Sequence, residues 1–331
     1  MVAKTIKAMQ NIIGFRQYLK SENSYKDLEK IIRERNNFFP SADGFVTTIA
    51  ICGDDPQNFI TQASLEEEVV LYPFAAWDEQ AKKVASVYKK TKKDLNKIQI
   101  IHYSDKPKGL TYPLELMVHI ANELDFQNLA VSDSDFQVSY PEIRRAFDFH
   151  LSVCKDTYPV ITFPRRKKRL LDVEKYPINR LAMEDLENMY IYMLSDLNVI
   201  DQKADFQSGL VITNQMAHSK LNFNNVGSWI GNLHMAIQVI HNHGRLENDF
   251  IVDTNMQNES TINFDVQCAK IDQLYKYYLI PLSNICLLAA DHPERYLMSD
   301  WTEGKTKEEI KNIINKILDK YKKYSKHLSG N

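Results

Sequence analysis

The chain is expected to adopt an α/β fold: a mainly parallel sheet flanked by helices, with a helical C-terminal extension. Three observations lead there. Short apolar or β-branched runs alternate with amphipathic helix-length segments through most of the 331 residues. Turn signals follow several of those runs, and only 10 Gly and 11 Pro punctuate the chain, so its elements must be closely connected. The last quarter reads as helix alone, which divides the chain into a mixed strand-and-helix unit over 1–255 and an extension over 256–331 that packs on the core or serves oligomerisation.

The elements follow in order. An apolar patch at Asn11-Ile12-Ile13-Gly14-Phe15 precedes a helical pattern over 25–35, where Leu28, Ile31 and Ile32 recur at helical spacing. Residues 45–51 are a strand, stopped by the turn Gly53-Asp54-Asp55-Pro56. A second strand is read over 69–74, an amphipathic helix over 77–90 and a third strand over 97–103. A helix over 113–124 then leads to the buried strand Leu129-Ala130-Val131-Ser132. Further on, a helix is read over 142–149, a strand over 158–163, a helix over 181–194 and a strand over 210–213. A helix over 228–243, a short strand over 250–252, one long apolar helix over 271–290 and an amphipathic helix over 307–324 complete the chain.

Composition narrows the function. Lys+Arg 41 against Asp+Glu 43 gives a formal charge of -2, which offers no general attraction to nucleic acid or to an anionic membrane. Cys52, Cys154, Cys268 and Cys286 are far apart and lack paired metal-ligand spacing, so they read as buried free thiols rather than a zinc site. No stretch approaches the ~20 apolar residues of a membrane span. The expectation is a soluble, cytoplasmic protein.

The feature that carries chemistry is Asp133-Ser134-Asp135, at the tip of an apolar strand. Two carboxylates at that spacing suit Mg²⁺ or Mn²⁺ carrying a substrate's phosphates; the competing reading is a solvated turn. In a mainly parallel sheet, ligands collect beyond the carboxyl ends of the strands, where Asp54, Asp55, Asp133 and Asp135 all fall. Arg165-Arg166-Lys167-Lys168-Arg169 follows a strand and reads either as a solvated loop or as a loop facing a diphosphate or lipid phosphate.

These pieces, taken in order, resemble a nucleotide-sugar glycosyltransferase of the GT-A fold. The segment from Lys106-Pro107-Lys108-Gly109 through a helix to Leu129-Ala130-Val131-Ser132-Asp133-Ser134-Asp135 is similar to that family's Gly-Lys-Gly loop, helix, strand and Asp-x-Asp arrangement. Here Pro107-Lys108-Gly109 replaces the full loop. Arg165 or Arg166, and Asp205-Phe206-Gln207-Ser208-Gly209, are similar to the arginine and Asp-x-x-Ser-Gly regions of polyprenyl-phosphate mannosyl- and glucosyltransferases; mannosylglycerate synthase-like enzymes are a second point of likeness. The resemblance covers roughly residues 45–255. The chain departs from it in the register of its first strands and in lacking a clear late acidic pair around Ser228-Trp229-Ile230-Gly231-Asn232-Leu233.

The resemblance implies transfer of a sugar from a GDP- or UDP-linked donor to an acceptor hydroxyl or phosphate. Mg²⁺ or Mn²⁺ would sit on Asp135 and Asp133, with His218 as a third ligand. Asp54, Asp55, Lys108 and Arg165 would face the donor, and Arg166 would complement the charge of the leaving phosphate. Asp205 is the candidate base, with Glu247 and Asp249 behind it. The other histidines, His234, His241, His243 and His292, read as structural more readily than as ligands, and Trp77, Trp229 and Trp301 more readily as core than as stacking platforms. A nucleotidyltransferase, and a binding protein without turnover, are the rival readings. The apolar stripe Ile310, Ile313, Ile314, Ile317, Leu318 and Tyr321 of the last helix, flanked by lysines, reads as docking on the core or in a homodimer, with a peripheral membrane contact next.

Overall fold

A computed structural model describes residues 44–48, 70–74, 98–102, 111–123, 127–133, 138–154, 157–167, 178–194, 205–227, 230–254 and 264–329. It is a mixed α/β structure in which helix predominates and the sheet is small. In chain order its elements are β1 (Gly44–Thr48), β2 (Val70–Phe74), β3 (Ile98–His102), α1 (Thr111–Glu123), β4 (Asn128–Asp133), α2 (Tyr140–Val153), β5 (Val160–Thr162), β6 (Arg165–Arg166) and α3 (Ile178–Leu194). There follow β7 (Leu210–Asn214), α4 (Gln215–His218), α5 (Gly231–His241), β8 (Arg245–Glu247), β9 (Ile251–Val252), α6 (Phe264–Tyr278), α7 (Leu282–Asp291), α8 (Pro293–Tyr296), α9 (Ser299–Thr302) and α10 (Lys307–Ser329). The helices read over 25–35 and 77–90 lie outside the described residues.

The larger sheet runs in the order β3-β2-β1-β4-β7-β5-β8. The pairs β1–β2, β2–β3, β1–β4 and β5–β8 are parallel, whereas β7 runs antiparallel to both neighbours, β4 and β5. The sheet is therefore mixed about one reversed strand. β6 and β9 form a separate parallel pair. From β1 the chain steps to β2 and then β3 on one side, and β4 is laid on the other side. The strand order thus reverses between β1 and β4, where Thr48 stands opposite Asp133. Such a reversal opens a crevice at the strands' carboxyl ends.

The helical layer is organised around α3. Every residue from Leu181 to Tyr192 is buried, so α3 presents apolar surface in all directions and is enclosed by neighbours: α5, α6, α7, α9 and α10 all pack on it. Four polar residues share that burial, Glu184, Asp185, Glu187 and Asn188. Buried carboxylates need partners, and Asp185 finds them in the Met298 backbone N–H at 2.8 Å and Trp301 Nε1 at 2.7 Å. Trp301 is thus a core anchor. The stripe of α10 packs inward as well, with Ile310, Ile314 and Ile317 buried against the same core.

The long helix read over 271–290 is two helices. Pro281 cannot donate a backbone hydrogen bond, and its ring disfavours a helical conformation at Ile280. The chain turns at Leu279, whose φ is 60° and whose N–H donates to Tyr275 O at 2.7 Å, closing α6 before α7 begins. The helix read over 228–243 spans Gly231–His241, and Ser228 and Trp229 lie outside the described residues. Of the thiols, Cys268 and Cys286 are buried and Cys154 half-buried; none of these three is in a disulfide, and Cys52 lies outside the described residues.

Candidate functional site

The sheet ladder brings several separate sequence signals to one edge. Asp133 ends β4. Because β7 is antiparallel to β4, with Leu210 opposite Ser132, the turn over 205–209 that feeds β7 lies beside the end of β4. β5 is antiparallel to β7 in turn, with Thr162 opposite Ile212, so Arg165 and Arg166 emerge at that same edge. β8 runs parallel to β5 and ends with Glu247 opposite Thr162. Neighbouring strands lie about 4.8 Å apart, so the backbones at the ends of β4 and β5 are separated by roughly 10 Å.

Arg165 and Arg166 are successive residues of a strand and face opposite sides. Arg166 points inward. Its Nε donates to Asp205 Oδ2 at 2.6 Å and its Nη2 to Asp205 Oδ1 at 2.8 Å, a two-pronged pair, while Nη2 also donates to Glu184 Oε2 at 2.9 Å. Glu184 takes a further contact from Arg180 Nε at 3.2 Å. Asp205 Oδ1 accepts the Gln207 backbone N–H at 3.2 Å. From Gln207 the network passes on: its amide Nε2 donates to Glu187 Oε2 at 2.9 Å, and its Oε1 accepts from Lys270 Nζ at 3.2 Å. Lys270 lies 3.6 Å from Glu187. Three cations, Arg166, Arg180 and Lys270, thereby meet three carboxylates, Glu184, Glu187 and Asp205, in a largely buried group that balances in charge.

Burial is the dominant influence on Glu187, pushing its carboxyl up to about 7 against the opposing pull of Lys270; the neighbouring Glu184 pushes the same way. Its Oε1 is enclosed with no hydrogen-bond partner. Arg165 contrasts with Arg166. It is half-buried, and its Nε is shielded from solvent without a hydrogen-bond partner. Lys167 is exposed and pairs with Asp253 at 3.2 Å; Lys168 and Arg169 lie outside the described residues. Glu247 is buried beside Arg245 and its carboxyl is raised chiefly by that burial, while Asp249 is exposed.

His218 does not join this group. It closes α4, just past Asn214, and Asn214 is opposite Asn128 at the amino end of β4. The five-residue rise of β4 puts roughly 16 Å between that end and Asp133. His218 is wholly buried there, with Nδ1 3.3 Å from Thr213 Oγ1, and the sheet register sets it at the opposite end of β4 from Asp133. His150 neighbours it, also fully buried, with Nδ1 2.7 Å from Thr162 Oγ1 and Nε2 unpartnered. His234 is structural, with Nδ1 2.8 Å from Tyr278 Oη and Nε2 2.8 Å from Asn222 O. His292 is exposed, 3.9 Å from Glu294.

Asp54, Asp55, Lys108, Asp135, Trp77 and Trp229 lie outside the described residues, and of Asp133 only the backbone is described. Among the described residues no three His, Cys, Asp or Glu side chains are arranged to hold a metal ion. The sequence reading missed Glu184, Glu187 and Lys270. A signal was present in Leu181-Ala182-Met183-Glu184-Asp185-Leu186-Glu187-Asn188-Met189, where acids interrupt a segment apolar on every side. Among the described helices none is long and apolar enough to cross a membrane. In comparison with known proteins, the chain matches no family model and no curated protein.

Proposed function

We propose that the chain is a metal-dependent glycosyltransferase of GT-A-like fold, moving a sugar from a GDP- or UDP-linked donor to an acceptor hydroxyl or phosphate. The observation that supports this is convergence: the end of β4 with Asp133, the Arg165-Arg166 strand and the 205–209 turn meet at one sheet edge, beside the strand-order reversal between β1 and β4. A diphosphate is the ligand that such an edge would suit. Mg²⁺ or Mn²⁺ on Asp135 and Asp133 would neutralise charge as the nucleotide leaves.

The remaining residues divide the work. Arg165, half-buried at this edge with its Nε unpartnered, would meet the donor's phosphates. Arg166 and Asp205 are occupied with each other and act by holding the 205–209 turn against the end of β4. That mutual occupation also favours a second reading, a donor-binding protein without turnover, because Asp205 then offers no oxygen to an acceptor.

Titration calorimetry with GDP and UDP, with and without Mn²⁺, tests the proposal. Asp135→Ala is expected to abolish the metal-dependent part of nucleotide binding while leaving the unfolding midpoint unchanged. Unaltered affinity in that variant overturns the metal site. Nucleotide bound by the native chain, with no hydrolysis of any nucleotide sugar, selects the binding-protein reading instead.

A further inference from the structure

The side chain of Gln207 is held at its tip by two helices that are far apart in sequence. Its Nε2 donates to Glu187 Oε2 on α3 at 2.9 Å, and its Oε1 accepts from Lys270 Nζ on α6 at 3.2 Å. Of these three residues Glu187 and Lys270 are buried, whereas Gln207 is half-buried and reaches the surface. The stretch that carries Gln207 is fixed at its start: Asp205 is locked by Arg166, and the Phe206 ring is fully buried, its centroid 5.1 Å from that of Phe163. At its other end Gly209 has φ 73°, a left-handed conformation that glycine adopts at little steric cost. Ser208 bonds locally, Oγ to Leu210 O at 3.2 Å, so Gln207 is what ties the turn to α3 and α6.

The carboxyl under this tie is short of donors. Glu187 Oε1 is enclosed with no hydrogen-bond partner among the described residues, and Lys270 Nζ stands 3.6 Å from the other oxygen, Oε2. Lys270 from α6 and Arg180 from α3 favour the ionised form and Glu184 opposes it, but burial outweighs the two cations. The nearby Cys268 on α6 and Tyr190 on α3 are themselves pushed up, chiefly by burial, and are uncharged at neutral pH. From α7 and α10, Cys286 and Tyr321 bear on Tyr190, and Lys320 bears on Cys268. On α5, His234 is turned to Tyr278 and Asn222 with His241 beside it; α9 gives the Trp301 N–H to Asp185; and Arg166 of β6 meets Glu184 and Asp205.

We propose that Gln207 is a proton-operated latch: closed onto Glu187 while that carboxyl is protonated, it swings outward when Glu187 ionises, admits water to the orphaned oxygen and loosens residues 207–209 beside the end of β4. An ionised carboxylate calls for donors on both oxygens, and within the closed group Oε1 has none; water supplies them. A neutral carboxyl asks less of its surroundings. The direction of the pH effect follows from linkage. In the wetted, open form the carboxyl titrates near the ordinary 4.5 and in the closed form at about 7, so between those values the open form binds fewer protons. Opening therefore grows as pH rises from 4.5 and levels off above 7. The latch does not depend on the sugar-transfer reading.

Amide hydrogen exchange of the full chain, read by mass spectrometry between about pH 5 and pH 8 and corrected for the intrinsic rate at each pH, tests it. The expected result is a loss of protection at 207–209 of at least about tenfold across that range, measured relative to β7, which follows directly in the chain. Glu187→Gln, neutral throughout, should keep protection at the acid level over the whole range, and Gln207→Ala should hold it at the low level. Gln207 is half-buried, so its truncation should leave the fold intact, which circular dichroism checks. Should Glu187→Gln not fold, the native profile and Gln207→Ala still decide. Protection that is flat with pH in the native chain overturns the proposal. So does a pH dependence that persists in Glu187→Gln, or native protection and pH dependence in Gln207→Ala.

Discussion

His150 and Glu187 are buried titratable groups with opposite consequences for stability. Burial, reinforced by His218, lowers His150 to about 4 from an ordinary 6.5, so the folded state resists a proton that the unfolded chain accepts. The stabilisation is complete above pH 6.5 and drains away as pH falls towards 4, amounting to about 3 kcal/mol at the limit. Urea unfolding should show the advantage of native protein over His150→Gln shrinking by that order between pH 7 and pH 4, whereas a pH-independent gap would refute the assignment. Glu187 runs the other way. Its folded value near 7 lies above the unfolded 4.5, so its contribution is present below pH 4.5 and lost as pH rises through 7. Glu187→Gln should be close to neutral at pH 4.5 and should stabilise by about 1–3 kcal/mol at pH 8, read as a raised thermal midpoint. Neither group was identified from sequence, because burial and proximity of charges far apart in the chain leave no mark on local composition. Asp205 shows the same limit from the other side: its type and its turn were legible, but its engagement by Arg166, 39 residues away, was not.

Elements were more legible than their contacts, since periodicity is local physics. The strand before the Asp pair, the helix that precedes it and the final amphipathic helix were all read close to their observed spans, because each buries one consistent face or is apolar throughout. Failure came where one residue decides, as at Pro281, whose ring ends a segment that apolar content alone extends across. Gly244 is another single-residue determinant. It joins α5 to β8, and a Cβ there would lie 2.7 Å from both Pro159 O and Val239 O and 2.6 Å from Val239 Cγ1. Two of those atoms are backbone and cannot swing aside. Gly244→Ala should therefore destabilise by about 1–3 kcal/mol through displacement of β8 from β5, measurable as a lower denaturant midpoint with little change of slope. A variant as stable as the native chain would show that the α5–β8 connection has slack the geometry denies.

At the scale of the whole molecule, the ordering of strands is what turns scattered residues into one edge, and order is the property least visible in a sequence. The expectation of a mainly parallel sheet missed the reversal of β7, yet that reversal is what carries the 205–209 turn to the end of β4 and takes His218 away to the opposite end. The charged group beneath that edge also bears on how the chain can be divided. Lys270 belongs to the segment read as an extension, while Glu187 and Gln207 belong to the part read as catalytic. Shortening the protein at residue 255 would strip α3 of α6, α7 and α10, open Glu187 to water and unfasten the turn that Gln207 helps secure. The boundary between the two segments is a place in the chain and not a line along which the folded molecule can be cut.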